Sequence, residues 1–137
     1  MADLTKHAKS VVEGFNNQDW DGTRKLLGDA TYTELGTQRS LDNVDAILEA
    51  FQGWKAAMPD VKGTVTNAIE SGQHVALEVT WEGTHTGELT TPQGTIPPSG
   101  KRQKTPAAFI FEYHNGELKQ SRHYFDMLTF LQQIGAA

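Results

Sequence analysis

Residues 107–125 read AAFIFEYHNGELKQSRHYF. Two runs rich in aromatic and other apolar residues, 107–113 and 118–125, flank the dipeptide Asn115-Gly116. Asn-Gly between two runs of this type is the strongest short-range signal for a β-hairpin. The stretch therefore predicts two long antiparallel strands joined by a tight turn.

A second hairpin is predicted upstream. Apolar residues alternate with polar ones through 61–69, Ser71-Gly72-Gln73 indicates a turn, and the alternation resumes through 75–81. Before it, apolar spacings of three and four predict helices over 3–16 and 20–27, and a third that starts after Ser40 or Asp42 and ends at Pro59. A short strand is predicted over 32–37. Helices first and long hairpins second indicate an α+β fold, in which the helices cover one face of a curved antiparallel sheet and enclose a pocket.

Composition limits the classes of function. The 137 residues suit one domain over 1–137, and the absence of cysteine excludes disulfides, thiolate metal sites and cysteine nucleophiles. A net charge of −5 argues against nucleic acid or anionic lipid as the main partner. With no apolar run near the roughly 18 residues of a membrane span, we expect a cytoplasmic protein with a small-molecule partner.

The segment 88–101 is too long for a simple hairpin loop. It contains three prolines, Pro92, Pro97 and Pro98, which favour a defined path over a flexible one. Long loops in compact domains are commonly mobile or functional. The segment is therefore a candidate lid or pocket rim, although a purely structural loop is an equal alternative.

Asp126 lies between the last predicted strand and a helical pattern formed by Leu128, Leu131 and Ile134. One interpretation is an N-cap, whose carboxylate accepts the amide hydrogen of Leu128 or Thr129 and has a lowered pKa. The other is an acid/base group in a dry apolar cavity, which would have a raised pKa. Both interpretations stay open at this point.

Several short segments, taken in order, resemble one family. They are WEGTHTG (81–87), PPSGK (97–101), NGEL (115–118), RHYFD (122–126) and LQQIG (131–135), with AMPD (57–60) before them. The set resembles the SnoaL-like polyketide cyclases, also called ester cyclases, of the nuclear transport factor 2-like superfamily. The resemblance implies a cone-shaped α+β barrel shared with ketosteroid isomerase and scytalone dehydratase, a homodimer or homotetramer, and neither a cofactor nor a metal.

The resemblance also implies a chemistry. In the characterised cyclases, the aspartate at the position of Asp126 is the acid/base for an intramolecular aldol closure. The chain departs from them on the strand before the Asn-Gly turn, where Ala107 and Phe109 stand at positions that those enzymes give to polar pocket residues. That difference suggests another substrate, another reaction or simple binding.

The candidate catalytic residues are Asp126 and His85. His85 lies where a long strand reaches the 88–101 segment. The alternative to a role in the pocket is that His85 is a structural histidine in a turn. The candidate substrate-binding residues share an aromatic or polar side chain and are Tyr124, Arg122, Trp81, Phe109, Trp54 and Tyr32. Alternation along a strand groups Arg122 and Tyr124 with Asp126 and sends His123 to the opposite face, where a subunit-interface or surface role is expected for it.

Two classes of function follow from these candidates. The first is a cofactor-independent acid/base enzyme, such as a cyclase acting on a small apolar or polyketide-like substrate, or an isomerase or dehydratase of the same fold. The second is a small-molecule binding module in which Asp126 only caps the last helix. The sequence contains no HExxH, EF-hand, P-loop, GxGxxG or GxSxG motif, so metal, nucleotide and serine-nucleophile chemistries are not expected.

Overall fold

The Asn115-Gly116 turn has the backbone that a two-residue hairpin requires. The structure, a computed structural model, describes residues 3–137. In it Asn115 and Gly116 have φ values of 52° and 81°, in the left-handed region that a type I′ turn needs. The turn joins β7 (Arg102–His114) to β8 (Glu117–Phe125) in antiparallel register, with Phe109 opposite His123. The predicted hairpin is confirmed.

The described chain forms four helices and eight strands. They are α1 Leu4–Asn16, α2 Trp20–Leu27, β1 Thr31–Glu34, β2 Arg39–Leu41, α3 Val44–Ala57, β3 Lys62–Ser71, β4 His74–Thr84, β5 Leu89–Thr91, β6 Gly94–Ile96, β7 Arg102–His114, β8 Glu117–Phe125 and α4 Met127–Gln133.

The main sheet has six strands in the order β2-β1-β8-β7-β4-β3. Most neighbours are antiparallel, as predicted, but β1 runs parallel to β8, with Thr33 opposite Arg122. Register shifts after Val65 and after Glu112 interrupt the ladders, and irregularities of this kind bend a sheet. Within residues 3–137 the result is a curved open sheet and not the closed barrel that the resemblance implied.

The helices begin at side-chain caps. Asp3 accepts the amide of Lys6 and caps α1, a helix that the sequence predicted, and Asn43 accepts the amide of Ala46 and starts α3 just beyond the predicted positions. Caps of this type typically stabilise a helix by about 1 kcal/mol each. No helix in residues 3–137 is long and apolar enough to cross a membrane, and the cytoplasmic location stays a prediction.

Helices α1 and α3 cover the inner face of the sheet. Phe15 of α1 and Phe51 of α3 pack edge to face, with ring centroids 5.8 Å apart. Phe15 also contacts Trp81 of β4 at 5.2 Å, and Phe51 contacts Tyr32 of β1 at 5.3 Å. These aromatic contacts tie both helices to the sheet around the space that becomes the site.

The 88–101 segment folds more than the sequence indicated. Its middle forms a small hairpin of β5 and β6, in which Gly94 adopts a φ of 135° that suits glycine. Leu89 is buried, and the Gln93 amide donates to the Thr37 carbonyl at 3.1 Å. The segment therefore follows a defined path, and its role as a lid or rim stays a prediction.

Candidate functional site

An apolar cavity lies between α1, α3, α4 and the inner face of the sheet. Its free volume is about 60 Å³. Four of the predicted substrate-binding residues line it, and their part in binding stays a prediction. The lining residues are Val11, Val12, Phe15, Tyr32, Phe51, Trp54, Met58, Val61, Trp81, Gln103, Thr105, Phe109, His123, Phe125 and Phe130.

His123 contributes an imidazole to the wall of the apolar cavity. It is only 9% exposed and stacks on Phe109, with ring centroids 4.7 Å apart. The expected surface or interface role for His123 is therefore wrong. Alternation did separate His123 from Asp126, but the helices cover the face of β8 that carries His123, so this histidine is the one turned inward.

The hydrogen bonds of His123 define its protonation. The Trp81 indole N–H donates to Nε2 at 3.0 Å, and because an indole nitrogen can only donate, Nε2 carries no proton. The proton of the neutral ring therefore sits on Nδ1, which lies 3.2 Å from the Tyr32 hydroxyl. That hydroxyl donates onward to Oε2 of Glu34 at 2.6 Å. Burial lowers the pKa of His123 to about 4, against the opposing effect of the Glu34 charge, so the ring is neutral near pH 7.

Glu34 anchors this chain of hydrogen bonds. Its side chain is fully buried and Arg39 pairs with Oε1, from Nη2 at 2.9 Å and from Nε at 3.0 Å. Thr37 donates to the same oxygen at 2.6 Å, while the Trp54 indole donates to Oε2 at 3.1 Å. A buried carboxylate is tolerated when it is paired and hydrogen-bonded in this way. Burial, followed by the adjacent Glu34 charge, raises the pKa of Tyr32.

Glu34 and Arg39 were not among the residues predicted for the site. Glu34 stands two residues after Tyr32, and in a strand that spacing puts both side chains on one face. The sequence signal that could have identified Glu34 was its position on the same face of a short strand as the apolar Tyr32. Arg39 gave no such signal, because its contact with Glu34 depends on the turn between β1 and β2.

Asp126 caps α4. Its Oδ1 accepts the Thr129 amide at 3.2 Å, and its Oδ2 accepts the Thr129 hydroxyl at 2.7 Å. These bonds lower the pKa of the exposed Asp126 carboxyl. The bond from the Thr129 hydroxyl has the larger effect, and the bond from the Thr129 amide has the smaller one. The capping interpretation is confirmed. The expectation that Asp126 opens into the cavity is not met, since β8 turns Asp126 outward and the first turn of α4 holds the carboxylate. A catalytic role for it stays a prediction.

Arg122 and Tyr124 share the outer face of β8 and do not line the cavity. The Arg122 guanidinium pairs with Glu112 of β7, Nη1 to Oε2, at 2.7 Å. That hydrogen bond raises the pKa of Arg122, and it lowers the pKa of Glu112 together with a bond from His74. Tyr124 is 43% exposed. The structure therefore separates these two candidates from Trp81, Phe109, Trp54 and Tyr32.

His85 is fully buried at the end of β4 but does not line the cavity. Its Nδ1 lies 3.0 Å from the Ser99 hydroxyl and accepts the Ser99 amide at 3.2 Å. Its backbone amide donates to Lys101 and its carbonyl accepts from Gly100. Burial lowers the pKa of His85. These contacts match the structural turn histidine, and the catalytic assignment stays a prediction.

Metal ligation has no evident place in the described part of the chain. Among residues 3–137 no three histidine, aspartate or glutamate side chains come close enough together to hold an ion. The polar groups on the cavity wall are one imidazole, one phenol, two indole N–H groups, one amide and one hydroxyl. Such a set can orient a neutral polar ligand and move a proton.

Comparisons with known proteins agree on the family and the fold. The model of the family described as SnoaL-like polyketide cyclase matches residues 5–134. No curated protein matches the chain. IdmH from Streptomyces antibioticus, provisionally described as a polyketide cyclase, superposes with a TM-score of 0.82 at 23% identity, over 97% of this chain and 99% of its own.

Two further solved structures show how varied the relatives are. AclR from Streptomyces galilaeus, provisionally described as a hydroxylase, has a TM-score of 0.79 at 20% identity, over 96% of this chain and 80% of its own. A protein with a ketosteroid isomerase-like fold from Catenulispora acidiphila, in complex with trimethylamine, has a TM-score of 0.79 at 18% identity, over 96% of this chain and 93% of its own. At these identities the likeness establishes the fold and leaves the reaction to the residues of the site.

Proposed function

The chain belongs to the SnoaL-like polyketide cyclase family, and on that premise we propose that it is a cofactor-independent acid/base enzyme that closes a ring in a small apolar carbonyl compound by an intramolecular aldol step. We propose His123 as the general base in place of Asp126. The observation that carries this choice is that the neutral imidazole is buried in the wall of an apolar cavity. The Asp126 carboxylate is exposed and bound to α4.

The proposed step uses one group that moves a proton twice. Nε2 of His123 takes a proton from a carbon next to one carbonyl group, and the electron pair of that C–H bond forms the enolate. The enolate carbon attacks the second carbonyl of the same molecule, so a C–C bond forms and the carbonyl oxygen becomes an alkoxide. The alkoxide takes the proton back from Nε2. Product and substrate contain the same atoms, so the step needs no co-reactant.

The neighbours of His123 would act on its two nitrogens. The Trp81 indole occupies the lone pair of Nε2, so substrate binding has to displace this hydrogen bond. On the other side, the path from Nδ1 through Tyr32 ends at the Glu34 carboxylate. That negative charge favours the imidazolium that forms while the proton is held.

The size of the cavity supports a small substrate. Its free volume of about 60 Å³ is well below the roughly 300–1,000 Å³ of pockets that take drug-sized ligands. A polyketide-length substrate would need side chains on the wall to move, Trp54 and Phe130 among them. We therefore propose a small apolar carbonyl compound.

A non-catalytic binding module is the second candidate. Two observations favour it: the carboxylate that the family resemblance made catalytic is engaged as a helix cap, and the Nε2 lone pair is already occupied. In this case the cavity would hold a ligand without changing it. The two candidates differ in turnover and not in binding.

We also infer that the protein forms a homodimer, or a homotetramer built from dimers, through the outer face of β7 and β8. On that face Tyr124 is 43% exposed and lies opposite Ala108 in register, and the adjoining first turn of α4 carries Leu128, which is 57% exposed. Exposed apolar and aromatic side chains grouped on one surface favour contact with another protein surface. Light scattering after gel filtration is expected to give the mass of two or four chains, and a single-chain mass would contradict the inference.

Ring closure of a simple diketone tests the catalytic proposal. Acetonylacetone closes to a five-membered ring by an intramolecular aldol step, and its carbon-bound protons exchange with heavy water through the same enolate. We expect the wild-type protein to accelerate both processes in an NMR assay. His123→Gln should lower the rates at least about a hundredfold, the lower end of the effect of general acid–base catalysis.

Asp126→Asn is the matched control, because asparagine also caps a helix and has no basic carboxylate. We expect it to keep most of the rate. Circular dichroism and melting temperatures would establish that both variants are folded. Loss of activity in Asp126→Asn with activity retained in His123→Gln would return the role of base to Asp126, and absence of any acceleration by the wild type would favour the binding module.

A further inference from the structure

We propose that the cavity has a position built for a carbonyl oxygen, formed by the side-chain N–H groups of Gln103, and that its ligand is a small ketone. This inference rests on the proposed function in taking the cavity as the ligand site, and it adds the group that orients the ligand. Gln103 is 1% exposed and lines the cavity from β7. Its amide can donate to a ligand only if the nitrogen end, and not the oxygen end, is free to face the cavity.

Hydrogen bonds that start at the backbone determine that orientation. The amide N–H of Lys104 donates to Oε1 of Gln133 at 2.7 Å, so the Gln133 side chain has its oxygen on that amide and its nitrogen on the other side. Nε2 of Gln133 donates to the Thr105 hydroxyl at 3.2 Å. Its second donation goes to the Thr129 carbonyl of α4 at 3.3 Å.

The Thr105 hydroxyl transmits this orientation to Gln103. Because its oxygen accepts from Gln133, its single proton is available for one donation, which goes to Oε1 of Gln103 at 2.6 Å. The Gln103 oxygen is thereby held on Thr105. The Gln103 nitrogen is then on the other branch of the amide, beside Met58.

The acceptor that Gln103 finds there is poor. Its Nε2 lies 3.4 Å from the Met58 sulfur, and a thioether is a weak acceptor. A buried amide donor without a good acceptor costs free energy, which a ligand oxygen would recover. Gln103 therefore differs from the other donors of the wall, since Tyr32 and Trp54 donate to Glu34 and Trp81 donates to His123.

The surroundings select a neutral ligand. Most of the wall is hydrocarbon or aromatic, and the Glu34 carboxylate is already paired with Arg39. A carboxylate ligand would lose its hydration without meeting a free cation, whereas a ketone brings an acceptor and no charge. The ligand is expected to have its oxygen at the Gln103 end and its apolar part along Thr105 and Phe109.

Two ligands of one shape test the proposal. Cyclopentanone and methylenecyclopentane differ in having a carbonyl oxygen or a methylene group at the same position. We expect the wild-type protein to bind cyclopentanone about tenfold more tightly, the equivalent of one neutral hydrogen bond, in an NMR titration at equal conditions. Gln103→Met keeps the length of the side chain and removes its N–H groups, so the preference should disappear.

Gln132→Met is the matched control, because Gln132 is an exposed glutamine of α4. It should keep the tenfold preference. If Gln103→Met does not fold, the side-chain NH₂ signals of Gln103 in the wild type give a second test: cyclopentanone should shift them downfield and methylenecyclopentane should not. Equal affinity for the two ligands, unshifted signals, or a preference that survives Gln103→Met would overturn the proposal.

The binding assay involves no turnover, so its outcome separates the two proposals. A ketone preference that depends on Gln103, without ring closure of acetonylacetone, would support the oxygen-binding position and remove the enzymatic function. Ring closure that depends on His123, with no preference for the ketone, would support the enzymatic function and remove the oxygen-binding position at Gln103.

Discussion

The two faces of β8 place neighbouring residues in opposite environments. His123 and Phe125 face the apolar cavity, whereas Arg122 and Tyr124 lie on the outer face and Asp126 is exposed where α4 begins. The pKa of His123 and that of Asp126 are both lowered, but for different reasons. Burial keeps the imidazole neutral, and hydrogen bonds from Thr129 keep the carboxylate charged. The inner face of the strand thus presents a neutral imidazole whose Nε2 accepts from Trp81, and the outer side presents an anion stabilised by a helix.

The buried network on the inner face should be the costliest feature to disturb. We expect Glu34→Gln to lower the free energy of unfolding by about 3 kcal/mol or more, because it leaves Arg39 without a counter-charge in a largely buried position. Glu117→Gln is the outer-surface control: Glu117 pairs with Lys119 at 3.3 Å, and both side chains are exposed. That change should cost less than about 1 kcal/mol in urea unfolding. Equal losses of unfolding free energy in Glu34→Gln and Glu117→Gln would contradict the claim that the buried network contributes more than the surface ion pair.

Acid should destabilise the protein through His123. Its pKa is about 4 in the folded chain against an ordinary value of 6.5. Between these two pH values the unfolded chain binds a proton that the folded chain does not, so the contribution of His123 is complete above pH 6.5 and is lost as the pH falls towards 4. Over this window the wild type should lose about 3 kcal/mol more stability than His123→Gln. Parallel curves for the two proteins would contradict a buried neutral imidazole.

The cap on the outer face should have a smaller effect. Removing the Asp126 carboxylate leaves the first turn of α4 without its acceptor for Thr129. We expect Asp126→Ala to lower the melting temperature by about 2–4 °C, and Asp126→Asn to lower it less because asparagine also caps. Differential scanning calorimetry measures both. An unchanged melting temperature in Asp126→Ala would mean that the cap does not hold α4.

Removing the hydrogen bond from Trp81 to His123 should have the smallest effect on the difference between the two faces of β8. Its N–H stabilises the neutral form of His123 by donating to Nε2. Trp81→Phe should therefore shift the titration of His123 upward, towards 6.5. Trp20→Phe is a suitable control, since Trp20 packs on Phe15 and makes no contact with the imidazole among the aromatic pairs of the described chain. A downward shift in Trp81→Phe would argue against the hydrogen bond to Nε2.

Local signals predicted most of the fold. The Asn115-Gly116 turn depends on neighbouring atoms, and the structure contains it as predicted. The cap at Asp126 is equally local, and it was one of the two interpretations that the sequence left open. The parallel pairing of β1 with β8 and the hairpin of β5 and β6 were not predicted. Both are short pairings whose partners are chosen by tertiary packing, which no local pattern records.

The candidate site was harder to predict for a related reason. Alternation correctly separated His123 from Asp126, but it cannot tell which face of β8 the helices cover. That choice depends on Phe15 and Phe51, which bring α1 and α3 onto the inner face far from β8 in sequence. The aromatic residues Tyr32, Trp54, Trp81 and Phe109 line the cavity because large apolar side chains are drawn to whichever face is buried.

Nitrogen NMR of the His123 ring tests the central claim most directly. In protein labelled with ¹⁵N, the claim predicts a neutral ring at pH 7 with its proton on Nδ1, an unprotonated Nε2, and titration near pH 4. The Asp126 carboxyl, followed by ¹³C in the same protein, should titrate below its ordinary value of 3.8. A His123 ring that carries its proton on Nε2 or titrates at 6.5 would contradict the assignment of His123 as the buried base.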